Sequence, residues 1–82
     1  MASYEHVLTR LLAHLRPHVQ AGIELDESAE LVGTLGLDST VLVHLLADVE
    51  DEFDISVPLN HLADIRTVGD LARMVQRLSE DS

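Results

Sequence analysis

Three stretches of this chain place apolar residues at three- and four-residue steps, the period that gives an α-helix one buried stripe. In the first, Tyr4, Val7, Leu8, Leu11, Leu12 and Leu15 share a face, and Ser3 stands where it can cap the helix. In the second, Leu42, Leu45, Leu46, Val49 and Phe53 form the stripe, with His44, Asp48, Asp51 and Glu52 mainly on the other side. In the third, Val68, Leu71, Ala72, Val75 and Leu78 follow a capping-box spacing, Thr67 with Asp70 three residues on. Helices are therefore predicted over residues 3–16, 39–53 and 67–78.

The joins between them are read from breakers. Pro17 disfavours helical geometry at the residue before it and ends the first helix. Residues 17–38 lose the period: Gly22, Gly33 and Gly36 punctuate a polar, acidic stretch anchored by Ile23, Leu25, Leu31 and Leu35. A loop of this length is uncommon in a small domain without a role or some structure of its own, and residues 27–32 are the place for a short helical turn. Ile55, Ser56 and Val57 form an extended exit into Pro58. Residues 59–64 make one short helical turn, with Asn60 as its cap and Leu62 and Ile65 pointing inward. The last residues, Glu80, Asp81 and Ser82, should fray. Helices that each carry one apolar stripe satisfy one another by closing around a shared interior. The expected fold is all-α, a small bundle of three main helices and one short one, in a single domain over 1–82.

Charge and composition then remove whole classes of function. With 82 residues and no cysteine, packing alone must hold the fold, because neither a disulfide nor a thiolate zinc site is available. Fifteen acids against five arginines give a formal charge of −10, which repels phosphate backbones and anionic lipid. Nucleic acid and membrane are improbable partners. Tyr4 and Phe53 are too few aromatics for a base-stacking platform, and no glycine loop cradles phosphate. All five arginines (Arg10, Arg16, Arg66, Arg73, Arg77) lie outside residues 17–65, which hold eleven of the fifteen acids. That region is either a solubilising skin or a surface for basic partners. No apolar run spans a bilayer and the N-terminus lacks the pattern of a signal peptide, so the expected compartment is the cytoplasm.

The remaining chemistry centres on Leu35-Gly36-Leu37-Asp38-Ser39. Asp-Ser before an apolar helix is first of all a cap. The same position presents a hydroxyl to solvent where free amides and the helix dipole favour a phosphate ester. Ser39 is poorly equipped as a hydrolytic nucleophile, since the Gly-x-Ser-x-Gly pattern is absent, His44 lies on a different side of the helix, and flanking carboxylates hinder an alkoxide. His14 and His18 have the spacing of a helical metal pair, but Pro17 interrupts it and no third ligand is evident. His6, His14, His18, His44 and His61 read as exposed titratable groups. Asp48, Glu50, Asp51, Glu52 and Asp54 lack the alternation and central glycine of a calcium loop. Neither a catalytic centre nor a metal site is expected. A cofactor-free helical module that binds partners through its acidic helix stands as the reading from a different class.

Three pieces in this order resemble the acyl carrier protein family. Leu35-Gly36-Leu37-Asp38-Ser39 is similar to its attachment motif, Glu50-Asp51-Glu52-Phe53-Asp54 with Val57-Pro58 to the end of its second helix, and Thr67-Val68-Gly69-Asp70-Leu71 to the start of its last. The resemblance implies that Ser39 receives 4'-phosphopantetheine from coenzyme A through a separate, magnesium-dependent phosphopantetheinyl transferase. It implies a non-catalytic carrier that holds acyl groups as thioesters. Thioester chemistry needs sulfur, which a chain without cysteine can obtain only from a cofactor. Docking of ketosynthase- and acyltransferase-type enzymes through basic surfaces falls, by the same resemblance, on Asp38, Thr40, Val43, Ala47, Asp48, Glu50 and Asp51, with the carrier as a monomer.

Departures from the family pattern shape the expected pathway. Thr40 replaces the usual leucine after the serine, Val41 and His44 stand where fatty-acid carriers favour acids, and Thr34 replaces an acid before the Leu-Gly pair. These differences favour a discrete carrier of polyketide or hybrid natural-product biosynthesis over a fatty-acid carrier. Leu37 argues against the peptidyl subclass, whose serine usually follows Gly-Gly-His or Gly-Gly-Asp.

Overall fold

Ser3 is extended, and its hydroxyl accepts a hydrogen bond from the His6 amide at 3.1 Å, satisfying one of the donors a helix start leaves open. From there α1 runs Tyr4–Leu15 in a computed structural model that describes residues 3–81, and the side chains of all of these except Leu59, Leu62 and Asp81. Pro17 does not simply stop the helix. It sits in a tight 3-10 turn, Arg16–His18, near the start of which its missing N–H costs nothing.

The second helix, α2, spans Ser39–Phe53. Asp38 caps it, one carboxylate oxygen accepting from the Val41 amide at 2.9 Å. Its other end is closed by Asp54, which adopts the left-handed conformation at φ 55°, while the Ile55 amide bonds back to the Glu50 carbonyl at 3.1 Å. A 3-10 turn over Leu59–Asp64 follows, so Asn60 lies inside the turn rather than ahead of it. The expectation that Leu62 points inward lies outside the described residues.

The third helix, α3, covers Val68–Asp81. Thr67 and Asp70 form the reciprocal box: the Asp70 amide donates to the Thr67 hydroxyl, and the Asp70 carboxylate accepts from the amides of Thr67 and Arg66, each at 3.1 Å. Those bonds hold the Asp70 carboxyl below the usual carboxylate range. The helix continues past Leu78, where the apolar stripe stops, because neither Gly nor Pro follows to break it.

The three stripes meet as expected, and α1 packs against both α2 and α3. Val7, Leu11 and Leu15 of α1, Leu45, Leu46 and Val49 of α2, and Val68, Leu71, Ala72, Met74 and Val75 of α3 are buried together. Among the described residues no polar side chain is buried with them. Each large aliphatic taken fully out of water contributes about 1.5 to 3 kcal/mol before chain entropy is subtracted, so this interior is what makes the fold stable.

The long connection between α1 and α2 is ordered by backbone pairing. Residues 30 and 67 form an antiparallel bridge. The Leu31 amide donates to the Arg66 carbonyl at 2.9 Å, the Val68 amide to Ala29 at 3.0 Å and the Gly69 amide to Glu27 at 2.8 Å. Two of the open amides at the start of α3 thus find their acceptors in the loop. In place of one helical turn over residues 27–32 the chain makes two: a tight turn over 26–29, where the Ala29 amide bonds the Asp26 carbonyl at 3.1 Å, and a second over 31–35. There the Gly36 amide bonds the Val32 carbonyl at 3.0 Å with Gly36 at φ 67°, a left-handed closure. Leu31 and Leu35, four apart, are both buried in the core by this turn.

Candidate functional site

Gly36 turns the chain out of that loop, Leu37 is buried just behind it, and Asp38 then switches the backbone from extended to helical. No neighbour would obstruct a side chain at position 36, so the positive φ alone asks for glycine there. The next residue is Ser39, the first of α2. It is exposed, and among the described residues its hydroxyl has no hydrogen-bond partner. The amides of Ser39 and Thr40 are likewise unbonded, since the Asp38 carboxylate takes only that of Val41 and the Asp38 carbonyl that of Leu42 at 3.0 Å. An unencumbered hydroxyl beside two open amides at the positive end of a helix suits a phosphate ester.

Two of the histidines are engaged at the other end of α2. His14, on α1, has its Nε2 2.8 Å from a Glu52 carboxylate oxygen near the far end of α2, and the His6 ring meets Phe53 edge-on at 6.2 Å. Among the described residues no group of three or more His, Asp and Glu side chains is placed to hold a metal ion.

Along α2 the expected docking residues separate into two sets. Asp38, Thr40, Val43, Ala47, Asp48 and Asp51 are exposed. Glu50 is half-buried, and its carboxylate accepts a hydrogen bond from the Val57 amide at 2.9 Å, tying the exit segment to the helix. Glu52 is also engaged, bound by Arg10 at 2.6 and 2.9 Å as well as by His14. The Arg10 hydrogen bonds, then that of His14, hold the Glu52 carboxyl down at about 2. Neither tie has a signal in the sequence, because the partners are 7, 42 and 38 residues away.

Recesses of two kinds are formed by the described residues. Leu31, Leu42, Leu46, Ile65 and Leu71 line a small aliphatic recess of about 30 Å³, to which α2 contributes Leu42 and Leu46. A larger cleft of about 590 Å³ lies between the 59–64 turn and α3, lined by His61, Asp64, Ile65, Arg73, Met74 and Arg77 among others, with no residue from α2.

Residues 18–75 match the protein family described as the phosphopantetheine attachment site. Over an alignment of 85 positions that takes in its whole length, the chain is 32% identical to the meromycolate extension acyl carrier protein of Mycolicibacterium aurum and covers 87% of it. It is 36% identical over 56 residues, 68% of its length, to a probable acyl carrier protein of Caulobacter vibrioides, where the match spans 65% of that protein. Its fold is similar to the crystal structure of an acyl carrier protein from Thermotoga maritima, with a TM-score of 0.78 at 24% identity, over 95% of this chain and 92% of that one. The chain belongs to the acyl carrier protein family, whose members carry phosphopantetheine and are carriers rather than catalysts.

Proposed function

We propose that Ser39 is the residue to which 4'-phosphopantetheine is joined, through its Oγ, and that the chain carries acyl groups on that arm between separate enzymes. The observation that carries this reading is the exposed, unpartnered Ser39 hydroxyl at the first position of α2, between a capping aspartate and two open amides. When bound, the arm supplies a terminal thiol, a group this cysteine-free chain does not have. The chain's own part is to hold the hydroxyl outward, to offer amides to the phosphate, and to keep the helix that follows rigid through the Leu45, Leu46 and Val49 stripe.

The pathway we infer is polyketide or hybrid natural-product biosynthesis in the cytoplasm, with ketosynthase- and acyltransferase-type partners besides the transferase that attaches the arm. The first turn of α2 carries no acid, and Val41 and His44 stand where a fatty-acid carrier would present carboxylates. Among the described residues no helix is long and apolar enough to cross a membrane. A second reading, extension of long fatty acyl chains, is favoured by the full-length similarity to a meromycolate extension carrier and by the wholly aliphatic lining of the inner cavity.

Incubation with coenzyme A, magnesium and a promiscuous phosphopantetheinyl transferase should add the mass of one arm to the wild-type chain and none to Ser39→Ala. A wild-type mass that does not change rejects the assignment. The mass of the species carried by protein from its native host separates the two pathways.

A further inference from the structure

On α3, Arg73 and Arg77 are both exposed and stand one helical turn apart, about 6 Å along the axis. Like charges at this step mildly destabilise a helix, and the buried side of the same stretch is held by Met74 and Val75 without them. The pairing of the other arginines sets Arg77 apart. Glu52 takes Arg10, Glu30 takes Arg66, and Asp70 takes Arg73 at 2.7 Å. Asp70 also accepts from the amides of Arg66 and Thr67, so this acid and Arg73 offset one another at the start of the helix. Among the described residues Arg77 makes no ion pair.

The cleft of about 590 Å³ lies beside these two arginines. Met74, only 6% exposed, and Ile65 give it apolar surface, with Arg73, Gln76 and Arg77 on the α3 side and His61 and Asp64 on the side of the 59–64 turn. Arginine and methionine are residue types that protein–protein contacts favour. In a chain of net charge −10, whose residues 17–65 hold no arginine, the cleft gathers two of the five cations.

We propose that this cleft is a docking groove for an acidic amphipathic helix of a partner protein. An apolar side chain of that helix rests on Met74 and Ile65, and two of its glutamates meet Arg77 and the outer N–H groups of Arg73. Glutamates four residues apart on the partner match the step between the arginines, and a guanidinium binds a carboxylate through two parallel hydrogen bonds. Asp64, across the cleft, repels a second acidic edge and so sets which way the partner helix faces. An occupant of the cleft touches none of its lining on α2, because α2 contributes none. One protein can then hold the carrier while the Ser39 end passes among enzymes. The inference does not depend on the Ser39 assignment.

A fluorescein-labelled helical peptide of glutamate pairs and leucine pairs in alternation, about fifteen residues long, tests this on the full chain beside a counterpart with glutamine for glutamate. Circular dichroism confirms the helices of each variant. At about 0.15 M salt, where distant charges are screened, the glutamate peptide should bind about fivefold more tightly than the glutamine one. Arg77→Gln should remove that preference, Asp64→Asn should increase it about twofold, and Ser39→Ala should leave it unchanged. In amide NMR spectra the resonances of residues 61–65 and 70–77 should shift on binding and those of 39–51 should stay in place. No binding by the wild-type chain, a preference that survives Arg77→Gln, or shifts centred on residues 39–51 overturns the proposal. Concentration-dependent shifts of the 70–77 amides without peptide also overturn it, by seating a second copy of this chain in the cleft.

Discussion

The Glu52 carboxylate on α2 accepts two hydrogen bonds from the Arg10 guanidinium on α1, at 2.6 and 2.9 Å, a forked pairing that ties the last turn of α2 to the middle of α1. His14, one helical turn beyond Arg10, adds a third contact at 2.8 Å. The clasp lies at the end of α2 opposite Ser39, so it steadies the helix that presents the serine without entering the site.

Acid should loosen this clasp in a defined range. The Arg10 hydrogen bonds, then that of His14, hold the Glu52 carboxyl down at about 2 against an ordinary 4.5, so its contribution is complete above pH 4.5 and is lost as pH falls towards 2. Glu52→Gln should lower stability by about 1 kcal/mol at neutral pH, the partial exposure of the pair limiting the effect. It should also flatten the acid limb over that range. Urea unfolding at neutral pH and at points down the acid limb, for both chains, checks size and sign.

Gly69 should resist the usual helix-stabilising exchange. Its amide donates to the Glu27 carbonyl at 2.8 Å, and a methyl group built on it would meet that carbonyl oxygen at 3.1 Å and the Tyr4 hydroxyl at 3.3 Å. Alanine normally gains up to about 1 kcal/mol over glycine in a helix. Here the loop would have to shift against its own hydrogen bond, and Gly69→Ala should instead cost about 1 kcal/mol. The urea midpoint shows the direction.

Asp54 offers the reverse case. It holds the left-handed conformation at φ 55° with a side chain that adds local strain. Asp54→Gly should raise stability by about 0.5 kcal/mol, the relief of strain exceeding the entropy that glycine gains in the unfolded chain. A rise in the thermal midpoint is the expected result.

Leu46 joins the core to the small inner cavity. It is 5% exposed and lines the recess with Leu31, Leu42, Ile65 and Leu71. Leu46→Ala should cost about 2 to 5 kcal/mol, a large fraction of what a domain this size has. Denaturant unfolding measures it.

Much of the helical frame is written locally. A stripe at three- and four-residue steps, a serine or aspartate before it and a threonine paired with an aspartate three residues on act within one or two turns. Such signals can be read wherever they occur, which is why Ser3 and the Thr67–Asp70 box were legible in the sequence, and why the cap of α2 was narrowed to Asp38 or Ser39, of which the fold uses Asp38. The position of Ser39 at a helix start belongs to the same class of information. The end of α3 was not, because the apolar stripe records where burial stops, and a helix continues beyond that until something breaks it.

What the amino-acid order alone determined, then, is three amphipathic helices, their caps and a hydroxyl at the head of the second. Tertiary structure decided which acids are free. Glu50 and Glu52 read in sequence like Asp48 and Asp51, and only folding brings Val57, Arg10 and His14 to the first pair and leaves the second in solvent. It likewise decided that the loop is held, through Glu27, Ala29 and Leu31 meeting the chain at the start of α3. The physical reason is common to both: these contacts join residues far apart along the chain, and no local period or cap encodes which distant donor a carboxylate or carbonyl will meet.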